Sequence, residues 1–261
     1  LDLDDFRSKL SDRTRLVSLV HISNALGCCN PLDQVIPAAH AAGALVLVDA
    51  CQSLAHKPID VAGLDVDFLV GSSHKLCGPT GMGFLWAREA LLEAMPPFLG
   101  GGEMIQDVFL DHSTWAVLPH KFEAGTPAIG EAVGMGRDSQ LQAIGLEAIQ
   151  AWEAQLTRHL FERLQAIEGV RVLGPTPEQQ PDRGALATFL VDGVHANDIA
   201  ALMDASGICI RSGHHCCQPL HRHYGVTASA RASLSFISTF EEIDRFSDEL
   251  ASTISFLREH G

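Results

Sequence analysis

Three groups of residues in this sequence carry side chains able to do chemistry. The first is Lys75, in the stretch "GSSHKLCGPTGMGFL" between an apolar run and a glycine-rich turn. A lysine amine attacks carbonyls only when deprotonated, and a partly dry site favours that form because burial disfavours the ammonium. The second is Asp49, which ends the apolar run "LVLVD" and would be costly to bury without a partner. An amine and a carboxylate so placed suit pyridoxal phosphate. The amine forms a Schiff base with its aldehyde, and the carboxylate holds its ring nitrogen so that the ring accepts electrons. Gln52 is placed to donate to the ring oxygen, and Ser72 and His74, beside the lysine, to serve the phosphate. An ordinary Asp49–Lys75 ion pair, or a surface lysine at a strand end, stays open on spacing alone.

The third group is "RSGHHCCQPLHRHYG" (Arg211–Gly225), with four histidines, two cysteines and two arginines in fifteen residues. Thiolate is the reactive form of cysteine, and neighbouring cations favour it. Cys216, close to Arg211, His214 and His215, is therefore a candidate nucleophile. Histidine and cysteine also ligate zinc, but adjacent His-His and Cys-Cys pairs are not the separated pairs of a zinc ribbon or finger, so no metal is expected. Incidental surface residues are the third reading. Cys28, Cys29, Cys51, Cys77 and Cys209 are expected to be small buried hydrophobes, and Cys217 a bystander or a secondary thiol. Seven cysteines, an odd number with two adjacent pairs in a long chain, argue for reduced thiols rather than a disulfide framework.

The elements that must position these groups change character along the chain. "LVSLVHIS" (Leu16–Ser23), "LVLVDA" (Leu45–Ala50), "VDFLVGS" and "GMGFLWA" read as strands, and "PLDQVIPAAHAAGA" as a helix with proline at its start and Gly43 near its end. Continuous apolar strands alternating with a helix predict an α/β domain with a mainly parallel sheet, over residues 1–143. Trp152, Leu156, Leu160, Leu164 and Ile167 then recur at helical spacing. "VRVLG", "ALATFLV", "ICIRSG" and "RASLSFIS" read as strands, "HANDIAALMDASG" as a helix, and Thr239 with Glu242 as the capping box of a closing helix. Residues 144–261 are thus expected to form a smaller α+β domain. "DLDDFRSKL" reads as a helix already under way, as in the tail of a longer protein.

Composition sets the outer limits. Hydrophobic residues make up 46% and charged residues 19%, as in a globular chain. The formal net charge is -14, from 32 acidic and 18 basic residues, a field that repels nucleic acid and anionic membrane surfaces. No apolar run reaches the roughly 18 residues of a membrane span, and the acidic N-terminal residues lack the layout of a signal peptide. The protein is expected to be soluble and cytoplasmic.

Taken together, "HISNALGCCNP", "LVDACQS", "DFLVGSSHKLCGPTGMGFL", "FEAGTP", "RSGHHCCQPL" and "RASLSF" resemble the SufS-like group of cysteine desulfurases. That group belongs to the class V aminotransferase superfamily of fold-type I pyridoxal phosphate enzymes. The resemblance covers nearly the whole chain, in order, and it implies a role at each matching position. Lys75 would be the lysine that carries the cofactor, and Asp49 the partner of its ring nitrogen. Gln52 and Asn24 would contact the ring oxygen, and Ser72 and His74 the phosphate. Thr126, in "EAGTP", would reach the phosphate of a neighbouring subunit, which implies a homodimer. Cys216 would form the persulfide, Arg231 would clamp the substrate carboxylate, and Arg211 would be a second active-site arginine. The implied reaction turns L-cysteine into L-alanine and leaves sulfur on Cys216 for an acceptor protein of the SufE type, in iron–sulfur cluster assembly.

The resemblance also implies that a long N-terminal portion of such proteins, with a stacking histidine and a phosphate loop, precedes the point where this sequence starts. An unpaired sheet edge and an exposed apolar face are the expected consequences. Ser73 stands where the family commonly has glycine, Cys51 lies between Ala50 and Gln52, and the reactive cysteine is doubled by Cys217. Selenocysteine lyase activity on L-selenocysteine, a related class V aminotransferase, a metal-binding module, and a catalytically silent homologue that dimerises or binds a sulfur acceptor are the competing functions.

Overall fold

A computed structural model describes residues 1–136 and 139–260. The chain divides into two compact units that are discontinuous in sequence. The first holds residues 1–20, 31–55 and 59–143, and the second residues 21–30, 56–58 and 144–261.

The first unit starts with helix α1 (Leu3–Lys9), whose N-terminus is capped by the Asp2 carboxylate accepting from the Asp4 and Asp5 amides. Strand β1 (Leu16–Val20), helix α2 (Leu32–Ala41), strand β2 (Leu45–Asp49), strand β3 (Phe68–Ser72) and strand β4 (Gly83–Ala87) follow. They form one sheet in the order β1-β2-β3-β4, parallel from β1 to β3, with β4 antiparallel to β3. The fold is therefore α/β, as the apolar strand runs predicted. Val46, Val48 and Leu69 meet Leu32 and Ile36 of α2 in a buried core. The expected strand at Leu16–Ser23 is shorter, because from His21 the chain joins the second unit. β1 is an edge strand that exposes Leu16 and Val20.

Gly71, in the middle of β3, lies under Phe84 of β4, and a Cβ there would collide with that ring and with Leu54. A 3-10 turn (Ser73–Leu76) carries the chain out of β3. Helix α3 (Glu89–Ala94), the hairpin strands β5 (Ile105–Val108) and β6 (Ser113–Trp115), and helix α4 (Ile129–Gly136) complete this unit, followed by the short helix α5 (Ser139–Ile144).

The second unit is built on helix α6 (Leu146–Gln165), strands β7 (Val170–Leu173) and β8 (Leu186–Val191), helix α7 (Ala196–Ala205), strand β9 (Arg211–Gly213), helix α8 (Gln218–His223), strand β10 (Ser229–Ser233) and helix α9 (Phe240–His260). Its sheet is wholly antiparallel, in the order β7-β8-β10-β9. Leu156, Leu160 and Leu164 of α6 are fully buried beside Phe189 of β8 and Leu250 of α9, which is what their helical spacing predicted. The capping box of α9 closes as expected. The Thr239 amide donates to the Glu242 carboxylate (3.0 Å) and the Glu242 amide to the Thr239 hydroxyl (3.2 Å).

The last strand departs from the pattern. "RASLSFIS" suggests a strand from Arg231 onward, whereas β10 runs from Ser229 to Ser233. The chain then turns: the Leu234 amide donates to Ala185, and the Ser235 amide to the Ser238 hydroxyl. Among the described residues, no helix is long and apolar enough to cross a membrane.

Candidate active site

In the first unit, Asp49 and Gln52 lie at and just after the carboxyl end of β2, and Ser72, His74 and Lys75 at and just after that of β3, where α/β sheets place ligand groups. Asp49 is the last residue of β2 and pairs with Val70 of β3, two residues before Ser72. Half-buried, its carboxylate accepts the Cys51 amide at 2.9 Å. No cation forms an ion pair with Asp49 among the described residues, so the simple Asp49–Lys75 pair is not what this fold makes. Gln52 is half-buried on the turn that follows, and Thr126 is exposed near the start of α4.

Lys75 and His74 sit on the 3-10 turn after β3, and both are exposed. The sequence suggested a partly dry lysine. Instead, the turn sinks Ser73, completely buried, and lifts His74 and Lys75 outward. The Ser73 hydroxyl has no hydrogen-bond partner among the described residues. It faces Gly78, where a Cβ would collide with it. The Gly78 amide donates to the Ser73 carbonyl (3.0 Å), and Cys77 between them takes a left-handed φ of 63°.

In the second unit, Arg211 on β9 and Arg231 on β10 are directly opposed in the antiparallel pair. Opposed residues point to the same face, and like charges placed so repel. Neither arginine has an acidic partner among the described residues. Arg231 gives one Nη1–H to the Asn24 carbonyl (2.6 Å), and its Nε is buried without a partner among the described residues. Burial, with Arg211 beside it, pulls the Arg231 guanidinium below the usual arginine range. Two adjacent cations with no counter-charge make a place for an anion.

Cys216 is exposed on the loop between β9 and α8, and Arg211 Nη2 donates to its sulfur at 3.6 Å. The backbone there is strained. His215 and Cys216 both take left-handed φ values, 50° and 61°, a conformation that non-glycine residues avoid at roughly 1–2 kcal/mol each. The Cys217 amide closes the turn on the His214 carbonyl (2.8 Å), and the Asn24 side-chain amide donates to the His215 carbonyl (2.7 Å). Asn24, expected at a ring oxygen, thus braces the cysteine loop. A cleft of about 540 Å³ is lined by Arg211, Ser212, His214, His215, Cys216 and Gln218.

His215 is buried, and neither ring nitrogen has a hydrogen-bond partner among the described residues. Its burial, with Arg231, His221 and Arg211 nearby, pushes it down to about 4, so it is a neutral imidazole at neutral pH. Burial likewise pushes the Cys29 and Cys51 thiols up to about 11, and the Asp49 carboxylate adds to the effect on Cys51, so both keep their protons at neutral pH. Of the five thiols expected to be buried, only Cys29 is. Cys28 and Cys51 are half-buried, while Cys77 caps an exposed turn and Cys209 lies exposed between α7 and β9. Among the described residues, no group of three or more His, Cys, Asp or Glu could hold a metal ion.

Sequence reasoning missed His221, whose ring meets both His214 and His215. Its only signal was membership of the histidine-rich stretch.

Residues 1–246 match the family model described as aminotransferase class-V. A probable cysteine desulfurase of Synechocystis is 55% identical over 256 residues, covering 98% of this chain and 61% of the relative. A cysteine desulfurase of Thermococcus onnurineus, solved in its apo form, aligns with a TM-score of 0.92 and 36% identity, over 98% of this chain and 64% of that one. A cysteine desulfurase of Escherichia coli, solved as the S-sulfonic acid, aligns with a TM-score of 0.89 and 34% identity, over 98% and 63%. The chain therefore spans about three fifths of the length of the relatives it matches. With the family model running from residue 1 to residue 246, the chain belongs to the aminotransferase class-V family.

Proposed function

We propose that this chain carries active-site residues of a pyridoxal-phosphate-dependent cysteine desulfurase. The observation that carries the reading is the second unit's pair of uncompensated arginines, with an exposed thiol 3.6 Å from one of them on a strained, braced turn. Such a site takes a small anion that carries a group for a thiol to attack. A cysteine zwitterion is that molecule, with its carboxylate on the planar fork of Arg231 and its sulfur toward Cys216.

The first unit fits pyridoxal phosphate by the chemistry of its donor set. A half-buried carboxylate with no cation paired to it among the described residues, an amine, and hydroxyl and imidazole donors lie at one sheet edge. Lys75 would be the amine for its aldehyde, Asp49 the partner of its ring nitrogen, and Gln52 a donor to its ring oxygen; the resemblance gives Asn24, which belongs to the second unit, the same role as Gln52. Ser72 and His74 would hold its phosphate, with Thr126 reaching the phosphate of a second copy. When bound, the cofactor supplies an electron sink for negative charge at the substrate Cα. Lys75 takes the Cα proton. The Cys216 thiolate attacks the substrate sulfur, and the carbon–sulfur bond breaks with its electron pair going to carbon. That carbon is protonated and leaves as alanine, and the sulfur stays on Cys216 as a persulfide. A sulfur-carrier protein of the SufE type is the acceptor, and iron–sulfur cluster assembly the use.

The test is to supply the protein, at its full natural length, with pyridoxal phosphate and L-cysteine. Alanine and sulfur are expected in equal amounts, with a mass gain of one sulfur atom on the peptide containing Cys216. An absence of alanine sinks the reading.

Arg231→Ala is expected to lower kcat/KM by roughly 30-fold or more, mostly through KM, since a charged pair lost in a half-buried site costs about 2–5 kcal/mol. Arg231→Lys is expected to recover little of this, because an ammonium cannot present two parallel N–H donors. Steady-state kinetics on L-cysteine reads both.

The homodimer is proposed from an apolar strip of the first unit. Phe98, Leu99, Val108, Phe109, Leu110 and Val117 are all exposed, on and around the β5–β6 hairpin. A second copy is the occupant, since Thr126 would serve a neighbouring subunit from the same unit. Light scattering should find the wild type dimeric at micromolar concentration and a Phe98→Asp/Leu110→Asp variant monomeric. A monomeric wild type would remove the proposal.

A further inference from the structure

His221 has no role in the reaction above, yet it touches His214, His215 and Cys217, the residues around Cys216. It is buried on α8. Its Nδ1 lies 3.0 Å from the Cys217 carbonyl oxygen, and its Nε2 2.8 Å from the hydroxyl of the fully buried Ser229 on β10. A carbonyl oxygen only accepts, so Nδ1 bears the proton; in the neutral ring Nε2 then accepts from Ser229. Both nitrogens are thus occupied by the protein, which leaves the ring no free position for acid–base chemistry on a substrate.

The same ring packs edge-on against His214, with centroids 5.5 Å apart, and lies tilted against His215 at 5.8 Å. Ser229 pairs with Gly213 across β9 and β10, and two residues along β10 Arg231 pairs with Arg211. One imidazole therefore joins the cysteine turn to the strand pair that carries both arginines. The turn needs such a tie, because two consecutive left-handed non-glycine residues relax unless their surroundings hold them. Asn24 holds its front, at the His215 carbonyl. On the far side, at the Cys217 carbonyl, the other contact is the backbone amide of His221, at a longer 3.3 Å.

We propose that His221 is a positioning residue: its Nδ1–H bond to the Cys217 carbonyl holds the Cys216 thiol in the pose that meets Arg211 and the substrate sulfur. The substrate half of this statement rests on the desulfurase reading; the pose of the thiol does not.

Two substitutions separate the two ring nitrogens. An asparagine amide nitrogen falls near Nδ1 and can still donate to the Cys217 carbonyl. A glutamine amide reaches the Nε2 position, toward Ser229, and cannot make the first bond. In the full-length protein, His221→Gln is expected to lower kcat about 10- to 100-fold, the range for a misplaced reacting group, with KM for L-cysteine unchanged. His221→Asn is expected to stay within about threefold. A second readout needs no turnover: without cysteine, iodoacetamide alkylation of Cys216, followed by peptide mass mapping, should slow in the Gln variant and not in the Asn variant. Equal behaviour of the two variants, or a loss in KM alone, would overturn the proposal. If neither variant folds, nitrogen-15 spectra of the histidines in the unaltered protein decide. The Nδ1–H tautomer of His221 is expected, and an Nε2–H tautomer would overturn the assignment. Should the wild type release no alanine, the desulfurase reading falls, while alkylation and tautomer still decide the role of His221.

Discussion

Lys75→Ala is expected to lower alanine release from L-cysteine by at least about 10³-fold, the scale on which a reacting group is lost. It should also abolish the visible absorbance band that the protein develops with pyridoxal phosphate. The amine is asked to do two things, to hold an aldehyde and to take a proton from the substrate Cα, and alanine can do neither. Lys75→Arg is the sharper companion. It keeps the charge, but a guanidinium is always protonated and cannot act as nucleophile or base. If Lys75 served only to balance Asp49 electrostatically, the arginine would restore both activity and melting temperature. The structure argues against that role, since Lys75 is exposed and makes no ion pair with Asp49 among the described residues. The expected outcome is therefore loss of the band and of turnover in both variants, with melting temperatures close to the wild type because an exposed side chain on a turn contributes little to packing. A band that survives in Lys75→Ala would move the cofactor amine elsewhere.

Cys216→Ser is expected to abolish protein-bound persulfide and to lower sulfur transfer to an acceptor by about 10³-fold or more. Cys217→Ser should stay within about threefold, inside the range of substitutions away from the reacting atoms. Two thiols adjacent in sequence are not equivalent here. Cys216 is exposed, and its sulfur takes an N–H from Arg211; Cys217 is half-buried, and its backbone N–H closes the turn on His214. A mass map of the persulfide after one turnover in each variant distinguishes them. The same experiment separates the desulfurase from a class V aminotransferase, whose turnover would be indifferent to Cys216→Ser.

Some of this was readable from one strand of text. The buried face of α6 follows from apolar residues three and four apart, and the Thr239–Glu242 box of α9 from a local spacing whose geometry needs no distant contact. The placement of Asp49 and Ser72 at strand ends also follows, because apolar runs announce where β2 and β3 stop. The exposure of Lys75 was not readable. It depends on the 3-10 turn that buries Ser73 in place of the lysine, and nothing local distinguishes that turn from a continuing strand or coil. The burial of the cysteines was misjudged for a related reason: a thiol's burial is set by which element covers it, not by its own polarity.

The sequence by itself determined the α/β alternation of the first unit, the amphipathic helices of the second, the net acidic charge, and the reactive side chains available. These are local or additive properties, fixed by period, composition and residue type. Only the tertiary structure decided which of those side chains meet. Arg211 and Arg231, twenty positions apart, become neighbours through one antiparallel register; Asn24 and His215, 191 apart, through one hydrogen bond; His221 and Ser229 through the fold of a loop onto a strand. A strand's register and a loop's anchor are chosen by long-range packing, which leaves no periodic trace in the chain.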